Sequence, residues 1–164
     1  MSNKFKSKSP MSKSPMSQSS INKLSMNCYT YAISDSDDDT GQTVTSPTLH
    51  IPGNNKHKTH YNCSDIMIGL MEDLPGTYKL ESNTSACATG FKKIFSAVSD
   101  ETGQNDFHFW REDDNGTWSH KPGERPRSFV DASGNPITNP ETSDRQFQHR
   151  NYIDTCGFYC VPRM

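Results

Sequence analysis

Hydrophobic residues are scarce in this sequence. They make up 30% of its 164 residues, whereas typical domains have roughly 45% on a slightly different residue set. Part of the chain is therefore expected to lie outside any packed core. No stretch approaches the roughly 20 consecutive apolar residues that a membrane-spanning helix needs. We therefore expect a soluble protein without a transmembrane segment.

Acidic residues are absent from the first 25 positions. That segment has five lysines, two Ser-Pro steps and a near-repeat of KSPMS, a composition that cannot bury enough apolar surface to offset chain entropy. We predict a disordered basic tail over residues 1–25 and a single domain over residues 26–164. No apolar run typical of a secretory signal follows the lysines, so a cytoplasmic location is the default expectation and the compartment stays open.

The rest of the chain has no excess of basic residues. Removing the tail's five lysines from the 17 basic residues leaves 12 against 19 acidic ones, a formal charge of 12 − 19 = −7. A body this acidic is a poor match for phosphate backbones. Specific nucleic-acid binding is therefore not expected, and the sequence leaves the oligomeric state open.

The sequence also lacks an even number of closely spaced cysteines. The odd count means that at least one thiol is free or paired between chains. Because no secretory signal is recognised, free thiols in a reducing compartment are the default expectation. The five cysteines are Cys28, Cys63, Cys87, Cys156 and Cys160.

A small Cys/His metal-binding domain is one alternative. In a regular strand, Cys156 and Cys160 would share a face about 13 Å apart, too far to share one ion. A better local cluster is His57, His60 and Cys63, at three-residue spacing. The leading interpretation below needs neither a metal nor another cofactor.

Helical periodicity marks two segments. Residues 24–34 predict a short helix with Cys28 in or near its first turn, and Ser25 and Asn27 are both suitable N-caps. Residues 63–74 predict a second helix, capped by Ser64 and stopped by the Pro-Gly that follows.

The second half of the chain changes to strand patterns, at residues 90–100, 106–120 and 155–161. The order of helix, helix and strands predicts an α+β fold in which N-terminal helices pack on a small antiparallel sheet.

The stretch DFHFWREDDNGTWSH predicts a hairpin with a histidine on each strand. A two-residue Asn-Gly turn would put His108 and His120 on opposite faces. A three-residue loop, 114–116, with a left-handed glycine would instead pair Trp110 with His120. His108 would then be the diagonal neighbour of His120 on the same face, where the two side chains can meet.

The helix dipole favours the thiolate form of a cysteine at the start of a helix. Nucleophilic catalysis by that thiolate also needs an imidazole base and a group that orients the imidazole. The pattern of helix-borne Cys, strand-borne His, glycine turn and second His resembles the Cys-His-His arrangement of NlpC-type cell-wall peptidases. These are a branch of the papain-like cysteine hydrolases. The stretch CYTYA at residues 28–32 is also similar to the CTWYA-like helix start of the related amidase branch.

This resemblance implies a papain-like α+β fold, with Cys28 as nucleophile, His108 as base and His120 as its orienting residue. The backbone N–H of Cys28 would help to form the oxyanion hole, with Asn27 or Tyr29 in support. Asp113 and Asp114 are reserve candidates for the third place.

The implied function is a thiol-dependent hydrolase or acyltransferase acting on an amide bond of a peptide or peptidoglycan-like substrate through a Cys28 acyl-enzyme. Hydrolysis, acyl transfer and deamidation use the same residues, so all three stay open. Besides the metal-binding alternative, a non-catalytic interaction module could use the hairpin aromatics as an exposed binding surface. Those side chains are Phe107, Phe109, Trp110 and Trp118.

Overall fold

A computed structural model describes residues 26–35, 51–54, 60–99, 105–123 and 125–164. The expected tail and His57 lie outside these ranges. Within them the chain forms two α-helices, one 3-10 turn at Pro52–Asn54 and seven strands. The elements are α1 (Cys28–Ile33), α2 (Cys63–Asp73), β1 (Tyr78–Leu80), β2 (Phe91–Ser99), β3 (Asp106–Glu112), β4 (Trp118–His120), β5 (Gln146–Phe147), β6 (Arg150–Asn151) and β7 (Asp154–Pro162).

Most of this architecture is β-sheet. Five antiparallel strands form one sheet in the order β1-β7-β2-β3-β4, and β5 and β6 form a separate pair. The helices have only 6 and 11 residues, whereas β2 and β7 have nine residues each and pair along their length. The expectation of a papain-like, NlpC-type α+β fold is therefore wrong. The sheet organises the core, and the short helices cover one of its faces.

That face, called the helix face below, carries alternate residues of the strands. Ile94 and Val98 of β2 and Phe109 of β3 pack against Tyr29 of α1 and Leu70 of α2. All five side chains are buried. This contact holds α1 against β3.

The opposite face, called the loop face, is covered by segment 121–153, which includes the short strands β5 and β6 and of which residue 124 is not described. Ile137 and Tyr152 of that segment pack on an aromatic cluster of the sheet. All four hairpin aromatics are at most 7% exposed, because residues cover both faces of the sheet. They therefore form core, and the exposed aromatic surface expected for an interaction module is absent from the described hairpin.

Local capping explains where the helices begin. The side chain of Asn27 accepts a hydrogen bond from the Thr30 amide at the start of α1, which confirms one of its two predicted caps. At α2 the cap is Asn62, whose side chain accepts from the Asp65 amide. The expectation of Ser64 as cap is wrong, because the helix begins one residue before it, at Cys63.

Two disulfides link segments that are distant in sequence. Cys63 joins Cys156 across 93 residues, and Cys87 joins Cys160 across 73 residues. Cys28 is the free cysteine. The expectation of free thiols throughout is therefore wrong, since spacing in the sequence does not reveal which cysteines meet.

Strand β7 has a β-bulge at Cys156, one of its two disulfide-bonded cysteines. Ser96 pairs with Gly157 but Ala97 pairs with Thr155, so Cys156 is the extra residue of the bulge. Cys156 consequently packs in the helix-face cluster, while Cys160 lies opposite Lys93, in register with the loop face. The expectation that a regular strand would place both cysteines on one face is wrong.

No helix within the described ranges has the length and apolar character needed to cross a membrane.

Candidate functional site

The hairpin that carries the two histidines has the three-residue loop. The amide of Asp113 donates to the carbonyl of Thr117 at 2.7 Å, and the amide of Gly116 donates to the carbonyl of Asp113 at 2.8 Å. Gly116 has φ 79°, the left-handed conformation that this loop requires. Trp110 consequently pairs with His120. Of the two turns that the sequence left open, the structure has the three-residue loop, with the register expected for it.

His108 and His120 meet in a direct hydrogen bond. Nε2 of His108 lies 2.7 Å from Nδ1 of His120, and Nε2 of His120 lies 3.1 Å from the Val130 carbonyl oxygen. A carbonyl can only accept, so Nε2 of His120 carries a proton and its Nδ1 accepts in the neutral ring. His108 therefore donates from Nε2, which leaves its Nδ1 with a lone pair. The hydrogen bonds fix one tautomer for each ring.

Burial keeps both imidazoles neutral. The pKa of His108 is lowered well below 6.5, first by burial and then by the neighbouring His120. Burial lowers the pKa of His120 to about 4, although its hydrogen bond to the Val130 carbonyl opposes the shift. The ring of Tyr152 stacks on His108 with 5.1 Å between centroids. The pair is thus a neutral, aromatic-lined unit near pH 7.

Cys28 lies at an open edge of β3. In an antiparallel ladder, alternate residues direct their backbone groups to the same neighbouring strand. Asp113 directs its amide towards the β4 side, so Phe107 and Phe109 do the same, but the β3–β4 ladder ends at Trp110. The sulfur of Cys28 lies beside the part of β3 that β4 does not pair with, 3.9 Å from the Phe107 carbonyl oxygen.

The Cys28 thiol is protonated in this setting. Its pKa is raised from 9.0 to about 12, first by burial and then by the charge of Asp106. The backbone amides of Phe109, Tyr29 and Cys28 itself act in the opposite direction. The helix start therefore offers donors to the sulfur, but burial outweighs them.

The structure brings His108 and His120 into contact but does not bond Cys28 to either. The sulfur touches the backbone next to His108, from the helix face, whereas the His108 ring points to the loop face with Trp110. Among the described residues, no hydrogen bond joins the thiol to an imidazole. Tyr152 stacks on His108, and its hydroxyl donates to Asp106 at 3.0 Å.

The supporting residues named from the sequence have structural partners. The Asn27 side chain caps α1, and the Tyr29 hydroxyl donates to Asp73 at 2.7 Å. Asp113 pairs with Arg111 at 3.0 Å, and Asp114 pairs with Arg163 at 2.6 Å. The group that contacts His120 in their place is the backbone carbonyl of Val130. Their catalytic roles remain predictions.

A cavity of about 340 Å³ opens on the loop face above the histidine pair. Sequence reasoning missed its walls, because segment 121–153 is turn-rich and has no helical or strand periodicity that would reveal its position. The lining residues are His108, His120, Pro122, Gly123, Arg125, Ala132, Phe147, Gln148, His149, Arg150 and Tyr152.

The described ranges contain no group of three His, Cys, Asp or Glu side chains arranged to hold a metal ion. In the cluster expected at residues 57–63, Cys63 is bound in a disulfide, and His57 lies outside the described residues. Cys87, Cys156 and Cys160 are likewise bound in disulfides.

The described chain is thus a disulfide-linked, mainly β domain with a buried histidine pair beneath a cavity. No family model matches it, and no solved structure matches it. A stretch of 40 residues is 52% identical to Insoluble matrix shell protein 1 of Ruditapes philippinarum. That stretch covers 24% of this chain and 27% of the shell protein, so the similarity is local.

Proposed function

We propose that this protein is a thiol-dependent hydrolase or acyltransferase that forms an acyl-enzyme at Cys28 on an amide of a peptide or peptidoglycan-like substrate. The observation that carries the proposal is the hydrogen bond between His108 and His120, which leaves a lone pair on Nδ1 of His108. The Cys28 sulfur lies 3.9 Å from the carbonyl oxygen of Phe107, the residue before His108, but on the opposite face of the sheet from the His108 ring, so the proposal requires the two groups to approach each other. The order of Cys28, His108 and His120 along the chain resembles that of NlpC-type peptidases, although the fold does not, and this order suggests the same roles.

The reaction would start from neutral groups. Because the Cys28 thiol is protonated and both imidazoles are neutral, Nδ1 of His108 takes the thiol proton as sulfur attacks the carbonyl carbon. The amide C–N bond then breaks, and the amine leaves with the proton from His108. Water or an acceptor amine resolves the thioester. His120 accepts a hydrogen bond from Nε2–H of His108 and so stabilises the transient imidazolium.

The sulfur and Nδ1 of His108 must make contact for this step. The open edge of β3 is the route, since it is where Cys28 lies and where β4 no longer covers the strand.

The test uses an activated acyl donor. The protein is mixed with p-nitrophenyl acetate, the burst of p-nitrophenol is measured, and the acylated residue is located by peptide mass. We expect a thioester on Cys28 that is lost in Cys28→Ser and slowed by about a hundredfold or more in His108→Gln. The matched control, His60→Gln, changes an exposed histidine and should acylate normally.

Two results would reject the proposal. One is an oxidised, folded protein in which Cys28 is not acylated. The other is acylation that His108→Gln leaves at the parent rate while thermal unfolding shows an intact fold. If neither result is found, assays for cleavage of peptide amides by the protein would define its substrate.

A second candidate is a non-catalytic protein of an extracellular matrix. Two observations favour it: disulfides persist in oxidising compartments, and the local similarity is to an insoluble matrix shell protein. This candidate predicts that the oxidised protein self-associates with increasing concentration, measured by sedimentation velocity. Cys28→Ser would not change that association, and the burst experiment would show no acylation.

A further inference from the structure

The cavity above the histidine pair has an apolar interior. The rings of Phe147 and His120 lie 5.5 Å apart, and Tyr152 stacks on His108. Ala132 and Pro122 add apolar surface to the lining. Its volume of about 340 Å³ is at the small end of the range of roughly 300 to 1,000 Å³ for small-molecule sites. A ligand of one or two amino-acid residues is therefore the appropriate size.

Two arginines, Arg125 and Arg150, are among the described residues of the lining. None of those described residues is Asp or Glu, and Glu124 lies outside the described residues. This differs from the acidic balance of the chain body, which carries 12 basic against 19 acidic residues outside the first 25 positions. An arginine side chain at a concave site favours an anion, and arginine pairs with carboxylates in a planar, bidentate geometry.

Local contacts position the two arginines at the rim. Nε of Arg150 lies 3.3 Å from Oδ2 of Asp106, so part of the Arg150 charge is already paired. The carbonyl of Arg125 accepts a hydrogen bond from Lys121 at 2.6 Å, and its amide donates to the Pro122 carbonyl at 3.1 Å. These bonds hold the backbone of Arg125, whose exposed side chain lines the cavity.

We infer that this cavity binds the free carboxylate of a short peptide or acylated amino acid, with Arg125 as the carboxylate partner and Phe147 and Tyr152 holding an apolar side chain. As the substrate site of a thiol hydrolase it rests on the proposed function, but binding itself does not require Cys28 chemistry. An amide bond close to the carboxylate would then lie near the His108 and His120 side chains that line the cavity.

The experiment measures binding without turnover. Oxidised Cys28→Ser protein is titrated with N-acetylphenylalanine and with N-acetylphenylalaninamide, and the imidazole ¹⁵N resonances of His108 and His120 are followed by NMR. We expect the acid to shift both imidazoles and to bind about tenfold more tightly than the amide. Arg125→Gln should abolish this preference. Arg163→Gln removes an arginine that pairs with Asp114 outside the cavity and should retain it.

The outcomes separate the two proposals. Equal affinity for acid and amide, absence of binding by the acid, or an unchanged preference in Arg125→Gln would overturn the carboxylate site. If the preference holds but Cys28 of the parent protein is never acylated, the cavity is a binding site and the hydrolase proposal fails alone. If Cys28 is acylated but the acid does not bind, the cavity inference fails alone.

Discussion

Nε2 of His108 donates to Nδ1 of His120 across 2.7 Å, inside a site where burial holds both rings neutral. A buried neutral pair of this kind makes stability depend on pH. Unfolding exposes each imidazole to water, where it can take up a proton near pH 6.5. The folded state cannot take up that proton without charging a buried ring.

The first prediction is a loss of stability on acidification. Both folded pKa values lie below the unfolded one, so the stabilisation is complete above pH 6.5 and is lost as pH falls towards about 4. For His120 alone, the free energy of unfolding should fall by about 2 kcal/mol between pH 7 and pH 5. Urea unfolding at a series of pH values measures this slope.

The matched variant for that slope is His120→Gln, which should flatten the curve between pH 7 and pH 5. A parent protein equally stable at both pH values would show that the buried rings are not held neutral.

The second prediction concerns the cysteines. In urea without reductant, one thiol per chain should react with iodoacetamide, and peptide mapping should place it at Cys28. After reduction all five should react. Finding three or more reactive thiols before reduction of purified, oxidised protein would contradict the pairing.

The same bonds predict a stability difference. They close loops of 93 and 73 residues, for which chain entropy gives about 4 kcal/mol of stabilisation per bond. The double variant Cys87→Ala/Cys160→Ala should therefore unfold at a clearly lower urea concentration than Cys28→Ala. A midpoint for the double variant equal to that of Cys28→Ala would argue against this link.

The third prediction is the reactivity of Cys28 in the folded protein. Its pKa is about 12 instead of 9.0, so at pH 8 the thiolate fraction is about a thousandfold smaller than in the unfolded chain. Alkylation should be correspondingly slow and should rise about tenfold per pH unit through pH 9. A plateau below pH 8 in rapid alkylation kinetics would instead reveal a thiolate–imidazolium pair.

Local features of this chain could be predicted from the sequence, because their causes are local. The Asn-Gly pair narrowed the hairpin loop to two alternatives, and the three-residue one pairs Trp110 with His120 and so brings His108 beside it. The cap at Asn27 likewise depends on one amide three residues away. Hydrophobic periodicity located β2 and β7 to within a few residues.

Long-range features could not be predicted in this way. Nothing near Cys156 in the sequence indicates a partner 93 residues earlier, and the bulge beside Gly157 depends on pairing with β2. The order of helices and strands suggested α+β, but the fold depends on β7 inserting between β1 and β2. The cavity was missed for the same reason, since segment 121–153 acquires its position from the sheet it covers.

The fourth prediction tests the turn that aligns the histidines. Gly116 has φ 79°, and a Cβ added there would meet no atom within 4 Å. Any cost of substitution must therefore come from the backbone conformation. Gly116→Ala should lower the free energy of unfolding by about 1 kcal/mol, because a left-handed backbone is unfavourable for residues with a Cβ.

Gly116→Asn and Gly116→Val extend this test to residues that tolerate the left-handed backbone better and worse than alanine. Asparagine tolerates the left-handed region better than alanine does, and valine tolerates it worse, so the order of stability should be Gly, Asn, Ala, Val in urea unfolding at pH 7. The ¹⁵N resonances of His108 and His120 should keep their hydrogen-bonded pattern in the asparagine variant. If valine were as stable as glycine, the loop would have a different conformation, and the register that pairs Trp110 with His120 would have no local cause.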